Sequence, residues 1–120
     1  MSGIIPKSIF TIQSEGTLGV ASNVLRVVMP CDGKMTNATA GLKTAPTGAS
    51  LIAVMQKGAT TIGTFTVPVS QVSATATGTV ATDGFVFRTG DVIDIDVTQV
   101  GSSVPGAGIL VAISYVGVAD

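Results

Sequence analysis

Three carboxylates crowd one short stretch, Gly90-Asp91-Val92-Ile93-Asp94-Ile95-Asp96-Val97. Clustered carboxylates can hold a hard cation such as calcium, which takes several oxygen ligands at once. A carboxylate pair is also the working part of a glycosidase. The spacing argues against both. Asp94 and Asp96 are two residues apart in a strand-like run, so they point to one face of a sheet. No dense Asp/Asn/Gly loop follows to close a cage around an ion. Tyr115 is the one tyrosine and there is no tryptophan, which leaves little aromatic surface for a sugar ring. The acidic residues read as a water-facing strand surface that also discourages sheet-to-sheet aggregation.

The remaining candidates are poorer. Cys31 is the sole cysteine and histidine is absent, so a catalytic thiol would lack its usual base. The same two counts exclude a disulfide within the chain, a zinc cluster of Cys and His, and a His-based triad. The glycine-rich stretch 101–108 lacks the Gly-Lys-Ser/Thr ending of a phosphate loop and does not open onto a helix, so it reads as a strand connector. Arg26 and Arg88 each lie within or beside an apolar strand. Such arginines are exposed, ion-paired or reaching to a neighbouring subunit, and both are candidate subunit-interface residues. No catalytic residue, cofactor, metal or small-molecule substrate is expected, and the chain does not read as an enzyme.

Composition bounds what the chain can be. Its 120 residues make one domain. The charged share is 11%, less than half of the roughly 25% usual for a globular chain. A surface so poor in charge is made of Thr, Ser, Ala and Gly, which suits a subunit that meets a partner better than a monomer. Net charge is -1 with no basic run, so the electrostatic footprint of nucleic-acid binding is missing. The start, Met1 to Lys7, is not patterned as a signal peptide. No apolar run approaches the roughly 18 residues of a membrane helix.

The elements that would carry these residues are strands. Residues 1–6 form a loose arm ending at Pro6, and residues 7–120 a single β domain. Strands are expected at Lys7–Gln13, Val24–Met29, Lys34–Leu42, Ser50–Gln56, Thr60–Thr66, Gln71–Val80, Phe85–Phe87, Val92–Gln99 and Ile109–Val116. The pairs Asp32-Gly33 and Asp83-Gly84 mark turns between them, the first a hairpin signal. Val92–Gln99 alternates apolar and polar residues, whereas the last strand is apolar on both sides and therefore sits centrally between layers. Gln71–Val80, rich in Thr and Ala, suits an edge or interface strand. No window has sustained helical periodicity; Gly16–Leu25 is the one place for a short helical turn. The pattern is all-β, about eight short antiparallel strands in a sandwich or barrel.

Several segments in fixed order resemble a known family. Ala45-Pro46-Thr47-Gly48-Ala49-Ser50-Leu51-Ile52 is followed by Lys57-Gly58-Ala59-Thr60-Thr61-Ile62. Gly90–Val97, Gln99-Val100-Gly101-Ser102 and Pro105-Gly106-Ala107-Gly108-Ile109-Leu110-Val111 come later. Over roughly residues 43–112 this resembles a small β-domain of tailed-bacteriophage virion proteins, used in fibres and tails and as a free-standing capsid decoration (cement) protein. The resemblance implies a jelly-roll-like β-sandwich, often a homotrimer, on the outside of a particle. A chain of 120 residues from Met1 without a shaft favours the cement role, with the major capsid protein as partner. The arm Ser2, Gly3, Ile4, Ile5, Pro6 and Lys7 would then contact the capsid. The alternative is a head-fibre or tail-tip protein that binds a receptor or glycan, against which the scarcity of aromatics counts. The expected location is the outer capsid surface of a virion, after synthesis in the host cytoplasm, with neither nucleic acid nor membrane as a partner.

Overall fold

A computed structural model describes residues 7–117 of the chain. The expected arm, Ser2 to Pro6, lies outside the described residues, and Lys7 is the first residue of a strand. Nine strands form: β1 (Lys7–Thr17), β2 (Ala21–Val28), β3 (Gly33–Thr44), β4 (Leu51–Lys57), β5 (Thr60–Val67), β6 (Ser73–Thr75), β7 (Phe85–Phe87), β8 (Val92–Gln99) and β9 (Ala107–Gly117). One short helix, α1 (Thr79–Thr82), stands between β6 and β7.

The strands divide between two antiparallel sheets. One has the order β1-β9-β3-β6, with β7 pairing β3 beside β6; the other has the order β2-β8-β4-β5. β6 pairs with Thr39–Gly41 of β3 and β7 with Gly33–Met35, so the two short strands share one position along the same neighbour. Counted so, there are eight strand positions, four to a sheet, and the chain crosses between sheets at nearly every connection. This is the jelly-roll arrangement of a β-sandwich. It agrees with the all-β expectation of about eight strands.

Period-two patterning builds the core. Ile93, Ile95 and Val97 of β8 point inward at 0–1% exposure, facing Ile109, Val111 and Ile113 of β9, all fully buried. Leu51, Ala53 and Met55 of β4 and Met35, Ala38 and Ala40 of β3 complete the two inner faces. Phe87 and Tyr115 meet edge to face, with ring centroids 5.8 Å apart, the favoured geometry for an aromatic pair. Burying such side chains contributes about 1.5–3 kcal/mol each.

Five sequence expectations change. The Asp32-Gly33 turn joins no hairpin: β2 pairs β8 while β3 pairs β9, so the turn carries the chain between sheets. β8 and β9 likewise lie in different sheets, although the sequence between them looks like a simple turn. β9 is central within its own sheet, between β1 and β3, but its outward residues Leu110, Ala112 and Ser114 are half-exposed; a single layer covers it. The expected strand Gln71–Val80 breaks after β6, because Gly78 takes φ 99°, a left-handed conformation, and the chain then turns into α1. The helical turn is therefore here and not in Gly16–Leu25, where β1 continues to Thr17 and β2 starts at Ala21.

Candidate assembly surfaces

The carboxylates of Asp91, Asp94 and Asp96 are held apart by separate duties. Asp91 accepts the Arg88 backbone N–H at 2.9 Å and pairs with the Lys57 ammonium at 3.1 Å. Asp94 faces Arg26 across the β2/β8 pair, with Nε 2.9 Å from its Oδ1. That contact is ionic, since Oδ1 lacks a hydrogen bond of good geometry. Asp96 accepts the Asn23 backbone N–H at 2.8 Å. Asn23 sits at φ 55° in a bulge, where β2 slips against β8 between Ala21 and Leu25, so Asp96 clamps a strained backbone turn. Among the described residues no group of three His, Cys, Asp or Glu side chains is arranged to hold a metal ion.

The glycine-rich connector is equally occupied. The Gly101 N–H donates to the Pro105 carbonyl, the Ser103 N–H to the Thr47 carbonyl and the Val104 N–H to the Thr47 hydroxyl. A phosphate cradle needs such donors free; here they fold the loop onto β3's exit. Cys31 is half-buried and packs against the core. Arg26 and Arg88 lie on different elements. Arg26 lies on the outer face of edge strand β2, its side chain 61% exposed although paired. Arg88 lies in the connector from β7 to β8, exposed.

That connector belongs to the end of the sandwich where the chain enters at Lys7. Asp32 accepts both the backbone N–H and the hydroxyl of Thr89, and the Gly90 N–H donates to the Met29 carbonyl. With Asp91 on Lys57, three connectors are laced together here. The Thr89 donors hold the Asp32 carboxyl below the usual carboxylate pKa, and the Arg88 N–H followed by the Lys57 ammonium do the same for Asp91. The opposite end differs in kind. Its connections, residues 18–21, 45–50, 68–72 and 100–106, contain no charged residue. They expose Val20, Val69, Val72 and Val104.

The two long flanks of the sandwich differ as well. Between β5 and β6 the flank is sealed: Thr64 and Thr77 exchange backbone hydrogen bonds at 3.0 and 2.9 Å. Ala76 and Val80 plug the gap at 2% and 1% exposure. Between β1 and β2 the flank is open among the described side chains. Ile12, Val24 and Val27 reach the core but are only partly covered, and Ile9 and Val28 stand on the lips, 65% and 61% exposed. A hollow of about 360 Å³, lined by Arg26, Val27, Val28 and Val92, opens beside β2. A second hollow, about 250 Å³, lies on the outer face of the other sheet where Gly41 has no side chain, rimmed by Gln13, Val72 and the Lys43–Glu15 ion pair.

No family model matches the chain, and no curated protein matches it. Solved structures do. One is a chain of the "Cyanophage Pam1 capsid asymmetric unit", with a TM-score of 0.55 and 14% identity over 96% of this chain and 86% of that one. At that identity the likeness is one of fold. It extends nearly from chain to chain, so it concerns a polypeptide of similar size.

Sequence reasoning singled out Arg26 and the acidic strand, yet missed the contrast between the two flanks. The uncharged end was present as four charge-free segments, each dull alone. Only the topology gathers them.

Proposed function

We propose that this chain is a structural protein of a phage virion, a capsid decoration protein that binds the outer capsid surface as a homotrimer and stabilises the shell. The observation carrying this reading is the whole-chain jelly-roll likeness to a component of the cyanophage Pam1 capsid asymmetric unit. The resemblance of residues 43–112 to phage virion β-domains points the same way. The surface is compatible with it: few charges, small side chains, and carboxylates committed to the fold rather than to substrate. No catalytic step, cofactor or small-molecule substrate forms part of the reading.

The mechanism is mechanical. A subunit bound across neighbouring capsid proteins adds contact area that must be lost before the shell opens, and binding only to the assembled shell stabilises that state by mass action. Three weak contacts on one trimer add avidity. In this reading the arm Ser2–Pro6 contacts the major capsid protein.

Cosedimentation with empty expanded capsids of the encoding phage tests the reading. The protein should pellet with shells and raise their rupture temperature, and deletion of Ser2–Pro6 should abolish pelleting while the fold persists. A protein that ignores shells and binds host cells or glycans is a receptor-binding fibre or tip, and the decoration reading fails.

A further inference from the structure

We propose that the open flank between β1 and β2 is the surface through which this chain packs against further copies of itself. β1 is the terminal strand of one sheet and β2 of the other, so among the described residues neither has a strand on its outer side. Such edges present main-chain N–H and C=O groups to any extended partner, and proteins that stay monomeric blunt them with charge, proline or a cover. Here these devices are confined to Lys7 and Glu15 toward the ends of β1, Arg26 on β2, and the register irregularities at Ser14/Thr17 and Ala21/Leu25. From Ser8 to Ser14, β1 contains neither charge nor proline. The opposite flank has its cover, in Thr77, Ala76 and Val80.

The side chains agree with the backbone. Ile12, Val24 and Val27 are core residues left partly uncovered, with exposed Ile9 and Val28 beside them. Arg26 is the one charge within this strip, and Asp94 at 2.9 Å answers it. Among the described side chains of the strip, the one cation that nucleic acid or a lipid headgroup would meet is already paired with a carboxylate. A second copy brings a matching apolar strip and a matching unpaired edge, and its Arg26 is likewise paired with its own Asp94.

The area is sufficient. β1 and β2 are 11 and 8 residues long; at about 3.3 Å per residue they run about 36 and 26 Å. Multiplied by the molecule's narrow dimension of 22 Å, the footprint is about 700 Å² per copy, close to the roughly 800 Å² per partner of a stable complex. Closing the flank converts half-covered core into full core.

This inference deepens the trimer in the reading above by naming its contact surface. Its test needs no capsid, so each can fail alone. The purified full chain is measured by sedimentation equilibrium as wild type and as Val28→Glu on β2, Thr11→Lys on β1, and Val104→Glu at the uncharged end. All three positions are exposed, and circular dichroism verifies the fold of each. Wild type should have two or three times the 11.9 kDa chain mass. Val28→Glu and Thr11→Lys should each fall to the single-chain mass, and Val104→Glu should match wild type. A monomeric wild type overturns the proposal. So do folded flank variants that keep the wild-type mass, or a Val104→Glu variant that dissociates equally.

Discussion

Removing the plug of the sealed flank should create a hole that a neighbouring glycine can refill. Val80 is 1% exposed, and a methyl group built on Gly63 of β5 would lie 3.0 Å from Val80 Cγ1. Val80→Ala deletes two carbon groups, about 1.6 kcal/mol of transfer energy at 0.8 each. A cavity term brings the loss to about 2 kcal/mol if α1 settles partway. In a chain of this size that lowers the melting temperature by about 8 °C. Gly63→Ala alone gains about 0.5–1 kcal/mol, because alanine has less freedom to lose in a strand. It also forces Val80, which is packed on all sides, to move, at about 1–2 kcal/mol, so the net change is neutral to destabilising. In the Val80→Ala background that clash is gone. The new methyl then meets only Ala76 Cβ and Met55 Cε, both at 3.4 Å, a tolerable distance. Gly63→Ala should therefore recover about 1 kcal/mol there. The coupling, about 1–2 kcal/mol, is read from a double-mutant cycle in urea at one protein concentration. Equal effects of Gly63→Ala in both backgrounds would refute the packing account of this flank.

The remaining predictions concern the carboxylates. Folding holds the Asp32 and Asp91 carboxyls below their ordinary pKa. The stability they contribute is therefore complete above about pH 3.9, where the unfolded groups are ionised. It is lost as pH falls below that toward the lowered folded values, since the unfolded chain binds the protons first. Asp91→Asn should flatten this acid limb in melting experiments between pH 5 and pH 2, and an unchanged limb would contradict the assignment. Asp96→Ala frees the Asn23 N–H in the β2 bulge and should cost about 1 kcal/mol. Hydrogen exchange should be faster at Asn23 and its neighbours; exchange unchanged from wild type would remove Asp96 from that role. Calcium at millimolar concentration should leave the melting temperature of wild type where EDTA leaves it, because the three carboxylates are engaged with three different partners.

Much of the fold follows from local chemistry. Alternation from Val92 to Gln99 placed Ile93, Ile95 and Val97 inside before any neighbour was known, because residues two apart in a strand share a face. The Lys57-Gly58-Ala59 turn likewise predicts the one hairpin among the described residues, β4 to β5, since its strands adjoin in sequence and pair in space. Cross-sheet partners are different. Asp32-Gly33 has the same local chemistry whether it closes a hairpin or carries the chain to the other sheet, and only the packing of the apolar faces selects between them. The sites divide along the same line. The sequence alone excluded disulfide and histidine chemistry and determined a low-charge, β-forming chain. It did not pair Asp94 with Arg26, put Asp96 on the Asn23 bulge, or leave the β1/β2 flank open beside a plugged opposite one. Those relations join residues far apart in the chain: the Asp94 and Asp96 pairings exist only once β2 lies against β8, and the contrast between the flanks only once two sheets have closed on a common core.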